Sequence, residues 1–296
     1  AALTAIADAT LSTAAGLLSP PGPFAVVGLG HLGGEEMALG SDLDLLIVTA
    51  DGLDGPDGER FAHAYLDLLG RLGLYQVDLR LRPEGRNGAP SRSLSSYRAY
   101  YKRWGTAWER QALLKARFVA GDPDLGAAFV ALANEFSLGE PPAPGTIREI
   151  RRIKARVEKE RIRPREDPAY HFKLGPGAMA DVEWTVQLLQ LIHGLPGPKT
   201  LASLERLTTG SQLDSNSASH LRTSYELCYR LRNQCYLVSG MAMASLPTQP
   251  ELLVRLCRSL GTTASDLREQ FARVTRRARS VVQMYFYCLL YTSDAA

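Results

Sequence analysis

Hydrophobic positions fall into two regimes along this chain. In the first part, short apolar runs of strand length alternate with helical spacings; beyond residue 146 the spacing is helical. The pattern predicts strands at residues 24–27, 42–48 and 77–81, with a helix over 59–72 following a Gly/Asp/Pro loop. In the third strand Val77, Leu79 and Leu81 alternate with Asp78, Arg80 and Arg82, which places the two sets on opposite faces. From Leu94 the spacing becomes helical. Tyr97, Tyr100, Tyr101, Trp104 and Trp108 recur every three or four positions, a stripe predicted to lie in the core.

The run Glu140-Pro141-Pro142-Ala143-Pro144-Gly145 is a stiff spacer by composition. After it, residues 147–162 carry apolar positions at 147, 150, 153 and 157, opposite a basic face that is solvated or meets an acidic partner. A break is predicted over 163–168, then helices over 181–192, 221–239 and 267–286. Asp181 and Glu183 stand in a first turn, where acids favour the helix dipole. Arg273, Arg276, Arg277 and Arg279 form a charged face. The chain opens without Met in a helix-like stretch, residues 3–18, and reads as a piece of a longer protein. Residues 288–296 break the helical pattern and are set aside from the fold. The expected organisation is residues 1–139, a linker at 140–146, a helical domain at 147–287 and the tail.

Composition narrows the function classes. The 296 residues are 45% hydrophobic, as in a globular protein of one large or two ordinary domains. A net charge of +3 gives no bulk affinity for nucleic acid. No apolar run reaches membrane-spanning length, and the N-terminus lacks a basic leader region. Cys228, Cys235, Cys257 and Cys288 have no metal-binding spacing and read as reduced core residues of a cytoplasmic protein.

The chemistry concentrates in the strands. Asp42 and Asp44 stand two positions apart at the head of an apolar run, so both point to one face. Such a pair suits Mg²⁺, a hard cation completed by substrate phosphates; Ser-Asp pairs also cap helices and make turns, and alone this pair leaves both readings open. Upstream, Gly28, Gly30 and Gly33 match G-x-G-x-x-G. A dinucleotide fold needs a helix and one acid about twenty positions on, whereas here two acids follow within about ten residues. The glycines still let backbone approach a phosphate and offer an anion nest, with Gly33, Gly34 and Ser41 as candidates. Alone, residues 75–85 read as a half-exposed edge strand with a solvated Asp-Arg face; beside the glycine turn and the acid pair, Asp78 is a candidate third carboxylate and Arg80 and Arg82 are candidate phosphate-binding guanidiniums.

Together, the glycine-rich turn, Asp42-Leu43-Asp44 and Asp78 resemble the polymerase-β type of nucleotidyltransferase palm. More narrowly, five segments resemble the glutamine synthetase adenylyltransferase family: Gly28 to Met37, Gly40 to Leu45, Val77 to Gly85, Trp108 to Arg117 and Lys173 to Trp184. The resemblance covers nearly all of residues 24–287. It departs at His31, where the family has Lys or Arg, and at Ala178, where a second Gly is usual.

The resemblance implies an α+β fold, a palm followed by an all-α helical bundle. It implies transfer of AMP from ATP to a tyrosine hydroxyl of glutamine synthetase, with Asp42, Asp44 and Asp78 as catalytic residues holding two Mg²⁺ ions. Glutamine synthetase is the implied protein substrate, a PII-type nitrogen-regulatory protein a further partner. Glu109 is a candidate partner of Arg80 or Arg82, and Lys115 and Arg117 are candidates to face phosphate. The family enzyme has two related halves, one adding AMP and one removing it by phosphorolysis. The stretch Ile147-Arg148-Glu149-Ile150-Arg151-Arg152-Ile153-Lys154-Ala155-Arg156 resembles the C-terminal, adding half. Adenylyl removal, and a degenerate nucleotide-sensing module, are the alternatives.

Overall fold

The computed structural model describes residues 2–162 and 166–288. Two compact units emerge: Ala1–Met37, Ser41–Glu140 and Pro196–Lys199 form the first, and Ala38–Gly40, Pro141–Leu195 and Thr200–Ala296 the second. The first mixes helix and strand; the described part of the second is helical.

The first unit runs α1 (Ala2–Gly16), β1 (Phe24–Gly28), α2 (Gly30–Gly33), β2 (Leu43–Thr49), α3 (Pro56–Leu72) and β3 (Val77–Asp78). Then come β4 (Arg92–Ser93), α4 (Leu94–Trp104), α5 (Ala107–Ala112), β5 (Arg117–Gly121) and α6 (Pro123–Leu138). The sheet order is β3-β2-β1-β5, and β4 also pairs with β2. β1 lies antiparallel to β2 and to β5, while β3 and β4 run parallel to β2. An antiparallel β1–β2 pair is incompatible with the βαβ unit of a dinucleotide fold.

Alternation along β2 builds two cores. Leu43, Leu45 and Ile47 pack with Ala7 and Leu11 of α1 and Phe61 and Tyr65 of α3. Leu46 and Val48 pack on the other face with Tyr97 and Tyr101 of α4 and Phe129 of α6. The aromatic stripe is therefore core only in part. Tyr97 and Tyr101 are buried, but Trp104, in the last turn of α4, is 61% exposed, with Arg103 stacked 4.9 Å over its ring.

The second unit comprises α7 (Pro144–Arg161), α8 (Met179–His193), α9 (Thr200–Thr209), α10 (Ser215–Ser239), α11 (Pro250–Leu260) and α12 (Ala264–Val282), followed by a π-helical turn, Gln283–Cys288. α7 starts inside the proline-rich segment because Pro144 occupies its first turn, where no N–H is needed. Part of the predicted 163–168 break, residues 163–165, lies outside the described residues, as does the tail after Cys288. No described helix is long and apolar enough to cross a membrane.

The basic face of α7 is not wholly solvated. Lys154 is 2% exposed and Asp181 1% exposed. Lys154 Nζ donates to carboxylates of Asp181 and Glu158. Asp181 also accepts from Arg279 Nη1 at 2.8 Å and from the Gly177 N–H at 2.6 Å. Burial raises the Asp181 carboxyl, but Lys154 and Arg279 overcome it and hold the group below its ordinary range. Asp181 thus does more than favour a helix dipole, and the Arg279 end of the charged face belongs to this cluster. Cys228, Cys235 and Cys257 are buried, whereas Cys288 is exposed; burial pushes the Cys228 and Cys235 thiols up to about 12.

Candidate active site

β2 begins where charge gives way to apolar residues. Asp42 precedes it and Asp44 is its second residue. Alternation puts both on the side that carries Leu46 and Val48. Pairing with β3 sets Asp44 beside Asp78, in parallel register with Leu43 beside Val77. Neighbouring strands lie about 4.8 Å apart, so the backbones of all three acids reach one end of β2. Like charges on neighbouring backbone positions favour a nearby cation.

Arg80 supplies that cation. The chain turns directly after Asp78, whose Oδ1 accepts the Arg80 backbone N–H at 2.8 Å. Arg80 Nε donates to Oδ2 at 2.7 Å and to Oδ1 at 3.0 Å. The Arg82 N–H then closes on the Leu79 carbonyl at 3.1 Å. The strand predicted through residue 81 therefore stops at Asp78. Aspartate binds the backbone N–H two residues on, and that turn wins over the alternation.

Burial raises the Asp78 carboxyl, but the Arg80 hydrogen bonds and charge, helped by Arg86, hold it below the usual carboxylate range. Reciprocally, the Asp78 hydrogen bond and charge raise the Arg80 guanidinium against desolvation, with Asp44 and Asp42 adding to them. All three acids act on one guanidinium.

Asp42, Gln76, Val77, Asp78, Leu79, Arg80, Arg82 and Arg86 line an open cleft of about 470 Å³. Gln76 and Arg86 carry no motif signal; only the turn after Asp78 brings Arg86 there. Among the described residues no three His, Cys, Asp or Glu side chains are gathered to hold a metal ion, and Asp78 is spent on Arg80. The donor chemistry fits a hard cation, being carboxylate oxygens from the start of β2 and from its neighbour β3.

The glycine turn packs on the second acid. Gly30 has φ +52°, and a Cβ there would collide with the Asp44 carboxylate. The Leu29 N–H donates to the Asp44 carbonyl at 2.9 Å. Gly33 lies so close to the Lys115 carbonyl that a Cβ would overlap it. The N–H groups of Gly33 and Gly34 donate to the carbonyls of Leu29 and Gly30, at 2.8 and 3.0 Å. Their donors are thus spent inside the turn, and these glycines supply room rather than a phosphate cradle. Ser41 is buried just ahead of β2. Gly33→Ala is expected to cost about 1–3 kcal/mol of stability by overpacking, read as a lower thermal midpoint. An unchanged midpoint would show that the turn has slack.

Three further expectations change. Glu109 does not meet Arg80 or Arg82: it sits at the third position of α5 and accepts from Thr106 N–H at 2.9 Å in a capping box. Lys115 is buried against Glu36 at 2.5 Å. Arg117 binds Asp8 at 2.8 Å and the Leu32 carbonyl at 3.0 Å. Lys115 and Arg117 brace the glycine turn from behind rather than facing phosphate.

Comparison with known proteins places this geometry in context. Residues 2–132 match the family model described as glutamate-ammonia ligase adenylyltransferase. Residues 148–290 match one described as GlnD PII-uridylyltransferase. The bifunctional glutamine synthetase adenylyltransferase/adenylyl-removing enzyme of Streptomyces avermitilis is 40% identical over 96% of this chain. Its namesakes in Corynebacterium diphtheriae and Nocardia farcinica are 40% and 41% identical over 90% of it. The chain spans 31%, 27% and 28% of the length of these three relatives, respectively.

Proposed function

We propose that this chain, homologous over nearly its whole length to one segment of the bifunctional glutamine synthetase adenylyltransferase/adenylyl-removing enzymes, is a nucleotidyl-transfer unit acting on glutamine synthetase. The observation that carries this is the register of Asp44 with Asp78, two positions from Asp42, on the edge of a cleft lined by arginines. The unit is read as a polymerase-β-like palm followed along the chain by a helical bundle, with residues 140–146 as the linker in sequence.

In this reading AMP passes from ATP to a tyrosine hydroxyl of glutamine synthetase in the cytoplasm: the tyrosine oxygen bonds to the α-phosphorus, the bond to the β-phosphate breaks, and pyrophosphate leaves. Asp42, Asp44 and Asp78 would hold two Mg²⁺ ions, which when bound would neutralise phosphate charge and favour attack by the hydroxyl. Arg82, and Arg80 once Asp78 is shared, bind phosphate oxygens. Gly33 and Gly34 let the turn close against the Lys115 segment, and Ser41 stands directly before Asp42 at the head of the strand. Catalysis is then largely positioning and charge compensation. The match of residues 148–290 to a PII-uridylyltransferase model supports a PII-type protein as regulator of the helical unit.

The resemblance of residues 147–156 to the adding half favours adenylylation over removal. The test incubates the chain with glutamine synthetase, Mg²⁺ and α-labelled ATP. Label on the synthetase supports addition. Phosphate-dependent ADP release from pre-adenylylated synthetase, without labelling, assigns the removing half. Neither activity would overturn the catalytic reading in favour of a sensing module.

A further inference from the structure

Three arginines line the cleft, and their partners differ. Arg80 is committed to Asp78 through its guanidinium. Arg82 Nη2 donates to the Arg86 carbonyl at 3.1 Å, and its Nε is buried without a partner. Arg86 is exposed, and among the described residues its guanidinium has no hydrogen bond or ion pair, although its charge reaches Asp78.

The chain is built to place it so. Glu84 and Gly85 both adopt left-handed backbone, φ +62° and +58°. For Glu84, a non-glycine residue, this conformation costs free energy and persists where its surroundings hold it. The hold is visible: Glu84 Oε2 accepts from Arg92 Nη2 at 2.6 Å, tying the turn to β4. The Gly85 N–H donates to the Arg82 carbonyl at 2.9 Å and the Gly88 N–H to the Gly85 carbonyl at 3.3 Å. At Gly88 a Cβ would overlap the Pro83 carbonyl, so the loop closes tightly on itself. A strained, braced turn thus presents an uncommitted guanidinium to a cleft whose other wall holds Asp42 and Asp78.

We propose that Arg86 is a phosphate-binding residue of this cleft, the guanidinium that first receives the oxyanion of an incoming phosphate. The inference rests on the nucleotidyl-transfer reading and deepens it. A planar fork of donors matches phosphate oxygens, and the acids opposite make that binding dependent on a divalent cation. The oxyanion comes either from the polyphosphate of ATP or from inorganic phosphate, the substrates of the two opposite reactions.

Equilibrium titrations of the whole chain in Mg²⁺ test this with ATP, adenosine and inorganic phosphate as separate probes. Arg86→Gln is expected to weaken ATP binding about tenfold, the scale of one charge-assisted contact, while adenosine binding stays within about twofold and Arg86→Lys recovers part of the loss. Arg60→Gln, at an exposed position of α3, controls for net charge and leaves ATP binding unchanged. Loss confined to ATP identifies the polyphosphate as ligand; loss confined to inorganic phosphate identifies the phosphorolytic substrate. The proposal falls if Arg86→Gln binds both phosphate probes as tightly as the parent, or if Arg60→Gln loses as much. A parent chain that binds neither ATP nor inorganic phosphate would overturn the nucleotidyl-transfer reading as well. Because Arg86 is exposed, an unchanged thermal midpoint will show that the variant is folded.

Discussion

Replacing Asp42 and Asp44 together by Asn is expected to lower AMP transfer at least about 10³-fold, a loss of roughly 4 kcal/mol of transition-state stabilisation. Asn keeps the size and shape of Asp but removes the charge that binds a hard cation. The fold should survive, because neither carboxylate builds the sheet. β2 is held by Leu43, Leu45, Ile47, Leu46 and Val48 in two apolar cores. Far-UV circular dichroism unchanged from the parent, with transfer lost, is the expected pairing of results. Transfer within about tenfold of the parent would mean that the acids are structural and the chemistry lies elsewhere.

The second large effect belongs to the helical unit. Asp181→Asn is expected to destabilise it by about 3–5 kcal/mol, the cost of breaking a buried ion pair and leaving its partner uncompensated. Lys154 would remain buried with one carboxylate, Glu158, in place of two. Urea unfolding followed by near-UV circular dichroism measures this. A loss below about 1 kcal/mol would show that Lys154 and Arg279 find other partners.

The pH dependence follows from the directions of the shifts. Asp181 is held below its ordinary value of 3.8. Its stabilisation is therefore complete above that value and is lost as pH falls through the lower folded-state value. Burial lowers the Lys154 ammonium, but Asp181 and Glu158 prevail and hold it above 10.5. Its contribution is complete below 10.5 and is lost as pH rises through the raised value. The parent should thus be most stable between these limits, and Asp181→Asn should flatten the acid side of the profile.

How far the sequence was legible depended on whether the decisive contact was local. β2 was legible because four successive apolar residues follow Asp44, and strand alternation fixes which side each acid takes. α3 was legible from its period over residues 59–72, and the helix extends back to Pro56, whose ring suits a first helical turn. The strand end at Asp78 was obscured because Leu79 and Leu81 continue the alternation, although a side chain–backbone turn governs there. Glu109 was misplaced for the opposite reason. Its partner, Thr106, lies three residues away, and the capping box was readable in Thr106-Ala107-Trp108-Glu109.

Other features depend on contacts that spacing does not encode. Lys154 looks like one more cation of a basic helix until Asp181 and Arg279 fold against it. Lys115 and Arg117 sit in a motif beside the site, yet Glu36 and Asp8, far away in sequence, claim them. Arg86 depends on a left-handed Glu84, which no propensity favours. The placement of the acids along the strands was therefore visible in sequence, whereas the partners of the surrounding basic residues required the fold.

The most direct test of the central claim is Mn²⁺ binding followed by electron paramagnetic resonance, with Mn²⁺ standing in for Mg²⁺. If Asp42, Asp44 and Asp78 form a metal–nucleotide site, ATP should recruit two Mn²⁺ ions to the chain, and this binding should vanish in the Asp42→Asn, Asp44→Asn variant. Mn²⁺ and ATP that bind the double variant as they bind the parent, or that fail to bind the parent at all, would contradict it.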